Sequence, residues 1–535
     1  MNRLLLIVLL SIPSLLWGQK ELSVSGDLSA NAIFSSGDLA PFWLYSRQEG
    51  RWGIKKGSQF LSTAALSAKY ATDDNFSVNL NLEADYNSQI YDFYLHSYNL
   101  DLNWHFLNLR AGRHSFNPIF EKGYEGQGSY LYGDNARPLD RITIGIPSFT
   151  SLPGFLKRFE IKGELSHGLL DDKHQGAFKY HKDVLLHEKY GYLRWNGGRW
   201  KPYLGLNHSV LMGGYRYNGE KIPIDYWKAI LGKSSEKIGG GDATNAAGGH
   251  MGLYDVGLYY FNDKGSFRFY YQMPFADASG MKPFVRNKDQ IAGIMWQGKK
   301  NGILNSFTFE WINTSYQSGN GMPDARFELE DGSTVMVVAF QLDDPAYRED
   351  LMRKIGVDNP GSYSKKDVSK YLMDNYNRGN RYGGRDWYMS NGTYPAGWTH
   401  YGMLMGSPLN LTYAQLAHKN PNLGIYSDGY QIVSDRFRAI HIGGSGAISQ
   451  NVFWDAKFSF SRNYGSYYHL YPGRYTWDET KDYFFKEAKS QLCSRIGLSW
   501  LALTEQKFEV NAVFGMDIGE LSQSVGMQIG VSKHF

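Results

Sequence analysis
Between Phe76 and Tyr86 every second residue is apolar: Phe76, Val78, Leu80, Leu82, Ala84 and Tyr86 alternate with Ser77, Asn79, Asn81, Glu83 and Asp85. Two is the side-chain period of an extended strand, and a helix would spread the same residues around its circumference. The pattern recurs. Leu100, Leu102, Trp104 and Phe106 alternate with Asn99, Asp101, Asn103 and His105, and Phe159, Ile161, Gly163 and Leu165 with Arg158, Glu160, Lys162 and Glu164. Late in the chain Trp454, Ala456, Phe458 and Phe460 alternate with Asp455, Lys457, Ser459 and Ser461. Each strand has one apolar and one polar side. At about ten residues these runs exceed the soluble mode of about five to six, and they match the length at which a tilted strand crosses a bilayer.

Two further features turn the apolar side toward lipid. Aromatic residues gather near strand ends, in the groups Tyr91, Phe93 and Tyr94, then Tyr190, Tyr192 and Trp195, then Tyr467, Tyr468 and Tyr471, where the girdles of a membrane barrel lie. The chain also ends on an alternating strand, with Val525, Met527, Ile529, Val531 and Phe535 on one parity and Lys533 interrupting the series. With 16% aromatic residues and a formal net charge of only +4, the chain is no disordered polymer. A helical membrane protein is excluded as well, because no apolar run of roughly 18 residues follows the first 18 positions, and the mean hydropathy is −0.43. The expected fold is all-β: a transmembrane antiparallel β-barrel in the outer membrane, surrounded by lipid. At roughly 25–32 residues per strand with its turn and share of a loop, the count is on the order of 16–20 strands, enough to enclose a lumen.

The first 18 residues read as a signal peptide, with Arg3 as the positive region, Leu4 to Leu16 as the apolar stretch and Leu16-Trp17-Gly18 before the cut. Residues 19–535 would then be the barrel. Cys493 is the only cysteine, so no intramolecular disulfide is available and no lipid-bearing cysteine stands at the cut. Two stretches do not read as strand. Tyr226 to His250 is a long loop, and 343–398 is a longer one with helix-like segments at Tyr347 to Ile355 and Lys366 to Tyr376. Loops of this length in a barrel are extracellular and can fold over or into its mouth.

No catalytic constellation is found. His114-Ser115 and His208-Ser209 are sequence neighbours, which a strand places on opposite faces. Gly443-Gly444-Ser445-Gly446 has no helix or lysine after it to make a phosphate loop. The fourteen histidines show no metal-ligand spacing, so neither metal nor cofactor is expected. The acidic pairs Asp343-Asp344 and Glu349-Asp350 read as solvated loop carboxylates. Inward-facing positions are more informative: Glu83, Asp85, Asp101, Arg110, Glu160, Lys162, Glu164, Arg194, Arg268, Glu310, Asp455 and Lys457 form a mixed-sign interior, which suits a cross-linked plug or a hydrated polar pore. Trp387, Tyr388, Tyr394, Trp398 and Tyr401 suit either sugar stacking or packing of their own loop.

Several ordered segments resemble the Wzi-type capsule assembly family of outer-membrane barrels. They are Ala111-Gly112-Arg113, Leu186-His187-Glu188-Lys189, Gly213-Gly214, Tyr271-Gln272 with Ala276-Asp277, and Glu310 with Asn313-Thr314. Gly397-Trp398 through Gly406-Ser407-Pro408 follows, then Asp435-Arg436 with Ala439, His441 and Gly443, with Asp435 where an asparagine is more familiar. The resemblance implies a barrel of about 18 strands with an occluded lumen and helices at its outer mouth. It implies a non-enzymatic role in binding or organising capsular or exopolysaccharide at the cell surface. Arg113, His187, Glu188, Lys189, Glu310, Asn313, Trp398, Arg436 and His441 would be its polysaccharide-binding residues or a lumenal polar network. The alternative from the residues alone is a porin or polysaccharide export channel, or, with least support, an outer-membrane hydrolase. The expected partners are lipid, polysaccharide and, through Phe535, the barrel-assembly machinery; no nucleic acid is expected.

Overall fold
The computed structural model describes residues 21–535 apart from positions 74, 90, 118, 120–123, 173–180, 217, 239–245, 277–279, 282–286, 299–301, 318–324, 329–330, 332, 338, 377–386, 424–430, 467–483 and 504–506. The segment 1–18 and the tyrosines at 467, 468 and 471 therefore lie outside the described residues. Eighteen antiparallel strands form a single closed sheet in chain order. The first seven are β1 (Glu21–Gly37), β2 (Gly57–Asp73), β3 (Phe76–Asn87), β4 (Tyr91–Trp104), β5 (Leu107–His114), β6 (Leu139–Ser151) and β7 (Phe159–Leu170). Next come β8 (Val184–Trp195), β9 (Trp200–Met212), β10 (Gly249–Asn262), β11 (Gly265–Phe275), β12 (Gln290–Gly298) and β13 (Ser306–Asn313). After a long excursion follow β14 (Phe437–Ala447), β15 (Val452–Asn463), β16 (Lys489–Leu503), β17 (Phe508–Gly519) and β18 (Ser524–His534). The ring closes where β18 pairs with β1, Val531 opposite Ala30 and His534 opposite Asp27.

Closure leaves no unpaired edge, so the backbone groups of every strand are satisfied inside the sheet, which is the condition for lying in hydrocarbon. The side chains agree. Leu28, Ile142, Ile144, Leu204, Ile440, Ile442, Phe514 and Ile529 are exposed although apolar, while Asp85, Arg268 and Glu310 on the opposite parity are buried. A continuous apolar belt outside and a charged interior make the chain an outer-membrane barrel. Among the described residues no helix is long and apolar enough to cross a membrane. Exposed Phe76, Trp104, Phe106, Trp200, Trp500 and Phe535 ring one end of the belt, and Phe34, Phe60, Tyr86 and Phe93 line part of the other. The sequence-predicted girdle residues Tyr190 and Tyr192 face inward instead, where their hydroxyls donate to Glu164 and Asp255. In the lumen each hydroxyl has a carboxylate as its acceptor.

The two ends of the barrel differ. At the end holding both termini no connection exceeds the seven residues of 152–158 or 299–305. At the other end the connections include 38–56, 115–138, 213–248 and 314–436. Short turns on one side and long loops on the other is the arrangement in which outer-membrane barrels put the turns in the periplasm and the loops outside. Within the longest loop, the described residues between 325 and 376 form a small cap. A hairpin (Ala325–Glu328 with Thr334–Val337) and two helices (Pro345–Ile355 and Lys365–Tyr376) share a core of Val337, Leu342, Leu351, Met352 and Val368. The first helix starts where Asp344 accepts from the Ala346 amide at 2.9 Å and stops at Gly356, whose φ of +83° suits glycine.

Candidate functional site
Three outer-end segments, 38–56, 115–138 and 387–416, enter the lumen and fill it. Their aromatic residues Trp43, Tyr130, Tyr388 and Trp398 are buried. The segments bond to one another. The Trp398 indole donates to the Leu131 carbonyl at 2.9 Å, the Gly133 amide to the Met405 carbonyl at 2.7 Å and the Gln415 amide to the Tyr45 hydroxyl at 3.0 Å. Arg47 pairs with Asp134 at 2.8 Å and donates to the Gly126 carbonyl at 2.6 Å. Glycine permits the closest approach: a Cβ on Gly406 would lie 2.1 Å from the Tyr130 carbonyl oxygen.

The plug is tied to the wall by buried charge. Glu310 on β13 is fully buried and accepts from the Tyr124 hydroxyl, the Tyr270 hydroxyl at 2.7 Å and the Gln127 amide at 2.7 Å. Arg268 on β11 reaches Asp255 at 3.0 Å and donates to the Ile119 carbonyl at 2.8 Å. His441 on β14 lies 2.8 Å from the Glu125 carbonyl through Nε2 and 2.6 Å from the Ser459 hydroxyl through Nδ1. A carbonyl only accepts, so Nε2 carries the hydrogen and Nδ1 accepts from the hydroxyl. Lys457 on β15 pairs with Glu125 at 3.3 Å, and the Phe42 amide donates to Asp517 on β17 at 2.8 Å. The glycine run at 443–446 serves the same contact, since a Cβ on Gly443 would lie 1.9 Å from the Glu125 oxygen.

Between the plug and the wall formed by β1, β2 and β18, a cavity of about 430 Å³ is lined by Ser29, Asn31, Arg47, Glu49, Arg51 and Trp52 among others. Beside it the ligand atoms of Glu49, Glu83 and His96 lie within 4.8 Å of one another, a spacing that suits a cation. The cation is already present. The Arg51 guanidinium stands 3.1 Å from Glu49, 2.8 Å from Glu83 and 3.7 Å from Asp85. Burial raises the Glu49 carboxyl, but His96 and Arg51 outweigh it and hold that carboxyl at about 2. At the rim, burial pushes Asp289 and Asp435 up to about 7.

The nine residues singled out by motif do not form one site. Glu188 (paired with Arg141), Glu310, Trp398 and His441 belong to the lumen and its plug. Arg436 is fully buried beside Asp435, at the point where the long loop rejoins the wall. His187 and Lys189 lie on the outward parity, not in the lumen, because Glu188 between them points in. Arg113 is on the outward parity too, pairing with Asp140 at 2.8 Å, and Asn313 holds the rim turn by accepting from Ser315. Of the loop aromatics, Tyr388 and Tyr394 donate to the carbonyls of Pro274 on β11 and of Gly213 at the end of β9, tying the plug to the wall. Tyr401 is half-buried at the outer end, where the Arg137 guanidinium lies 4.5 Å from its ring and 4.6 Å from that of Tyr94. Sequence reading did not single out Arg47, Glu49, Arg51, Tyr124 or Gln127, whose partners are remote in the chain.

No protein-family model matches the chain, and no curated protein is similar to it in sequence. Among solved structures the fold is similar to that of Wzi from Escherichia coli, an outer-membrane protein involved in group 1 capsule assembly and a carbohydrate-binding β-barrel. The identity is 12% and the TM-score 0.50, covering 94% of this chain and 83% of that one. OccK5 (OpdH) of Pseudomonas aeruginosa aligns at 7% identity and a TM-score of 0.45, covering 96% and 98% of the two chains. OmpT of Vibrio cholerae, an outer-membrane protein, aligns at 9% identity and 0.37, covering 97% and 99%. At these identities the likeness is one of fold.

Proposed function
We propose that this barrel is a non-enzymatic protein that binds or organises capsular or exopolysaccharide at the outer surface of the cell. One observation carries the reading: a ring wide enough to enclose a lumen is filled, from its outer end, by its own loops. An open pore has no use for so packed an interior, whereas a binding protein gains a rigid floor under its outer surface. Half-buried Tyr94, Tyr401 and Arg113 at that surface, with Arg137 buried against the two rings, supply ring faces and fixed charges, the chemistry that suits sugars. The ordered motifs resembling the Wzi-type family support the same role, with Glu310, Trp398, Arg436 and His441 as plug supports and Arg113 nearest to an external glycan. In this reading residues 1–18 direct export, and Phe535 closes the strand recognised by the barrel-assembly machinery. A deletion strain is the test. Loss of polysaccharide from the cell to the medium, with synthesis unchanged, is expected; unchanged cell-bound polysaccharide would overturn the proposal, and impaired export would favour a channel.

A further inference from the structure
Four of the fourteen histidines stand on the outer wall on four consecutive strands: His167 on β7, His187 on β8, His208 on β9 and His250 on β10. Register gathers them. His167 is opposite His187, Lys189 is opposite His208, and Val210 is opposite both His187 and His250. Their parity is outward, since the alternating neighbours Glu188 and Ser209 bond to Arg141 and to Tyr132 of the plug. Lipid does not cover them. The chain after Met212 folds back over the outside of the wall, where its helix Tyr226–Ile230 packs Ala229 on Val210 and Met212. His187 is only 3% exposed.

Hydrogen-bond chemistry fixes the protons of His208 and His250. The Ala247 carbonyl only accepts, so His250 Nε2 at 3.0 Å carries a hydrogen and His250 Nδ1 is a bare acceptor. His208 Nε2, 3.0 Å from that Nδ1, must donate, which leaves His208 Nδ1 as a lone pair. On the neighbouring strands the Tyr226 hydroxyl is 2.8 Å and His187 Nδ1 is 3.2 Å from His167 Nε2. In the tautomer where His187 Nδ1–H donates to the single lone pair of His167 Nε2, His187 Nε2 is a lone pair as well. These two nitrogens, His187 Nε2 and His208 Nδ1, are buried without a partner among the described residues.

We propose that His187 Nε2 and His208 Nδ1 bind one divalent transition-metal ion of the zinc, nickel or copper type on the outer wall, beneath the helix Tyr226–Ile230. Neutral imidazole nitrogen is the donor such ions prefer. The two residues are diagonal neighbours on adjacent strands, where long side chains reach a shared point. Each ligand donates its other ring hydrogen to a second histidine, and such outer partners fix tautomer and aim at metal sites. Water completes the coordination. Lys189, which shares this face, donates its ammonium to the Ile230 carbonyl, and its charge weakens cation binding.

The test uses the purified full-length protein in detergent, stripped with a chelator and titrated with Cu²⁺ under electron paramagnetic resonance. One saturable equivalent showing hyperfine splitting from two imidazole nitrogens is expected. His187→Gln and His208→Gln each remove one nitrogen from that signature. His250→Gln, a positioning change, keeps both nitrogens and lowers affinity by about 10- to 100-fold. Lys189→Gln raises affinity, and His418→Gln, remote from the patch, leaves it unchanged. All variants are first checked for the heat-modifiable mobility of a folded barrel. Absence of saturable binding, or binding that survives both H187Q and H208Q, overturns the site.

Discussion
The plug and the cap both belong to the outer-end loops, and they are held in opposite ways. In the plug, charges sit in dry contacts with partners far away in the chain, such as Glu310 with Gln127 and Lys457 with Glu125. In the cap, residues 325–376 bury their own small core, and its ion pairs are local and solvated, Glu349 with Arg353 and Asp350 with Lys354 one helical turn apart. The difference teaches which part of the loops the barrel depends on. A buried charge that loses its partner leaves an uncompensated group in low dielectric, whereas a surface pair exchanges its partner for water.

The sharpest way to break the comparison is at Arg268. Truncation to alanine strands Asp255, which is fully buried and also accepts from Tyr192, Tyr203 and Gln272. A loss of about 3–5 kcal/mol is expected, because one member of a buried pair is left alone; it is read from the denaturant midpoint followed by heat-modifiable mobility. Glu310→Gln keeps the volume but withdraws the charge from three donors. The expected loss is about 1–3 kcal/mol, and it is accompanied by faster proteolysis within 115–138, which is where a loosened plug exposes backbone.

Acidity separates the regions next. Burial raises Asp289 and Asp435 to about 7, against about 4 in the unfolded chain. The folded protein therefore binds more protons between these limits. The stability contributed by the neutral carboxyls is full below about pH 4 and is lost as pH rises through about 7. Buried His181 and His400, lowered to about 4 and about 3, act in the opposite direction, and their contribution is lost as pH falls below about 6.5. Asp435→Asn is expected to shrink the drop in unfolding midpoint between pH 5 and pH 8. An unchanged drop would show that Asp435 ionises freely in the fold. The smallest effect belongs to the cap. Glu349→Gln removes an exposed pair and is expected to cost no more than about 0.5 kcal/mol, and deletion of 325–376 is expected to leave the barrel folded and the plug protected from protease.

The wall was legible because its code is local. Alternation at Phe76 to Tyr86 states which face is lipid, and the eighteen strands observed fall inside the range of about 16–20 that the length arithmetic allowed. Parity also held information that residue type concealed. Tyr190 and Tyr192 share the parity of Glu188 and Arg194, which marks them as lumenal, and His187 and Lys189 share that of Leu185 and Leu193, which marks them as outward. A motif read as a string, Leu186-His187-Glu188-Lys189, hides that its members face opposite media. The plug was not legible. Its bonds join residues such as Tyr124 and Glu310, or Gln127 and Ser407, and no spacing in a single sequence announces them. The four outer histidines show the same limit, since strands rather than motif spacing bring them together.

Planar-bilayer recording of the intact, purified protein tests the occluded lumen directly. The account predicts an electrically silent barrel, and stepwise conductance once residues 115–138 are replaced by a short turn. Stepwise conductance from the intact chain would contradict it.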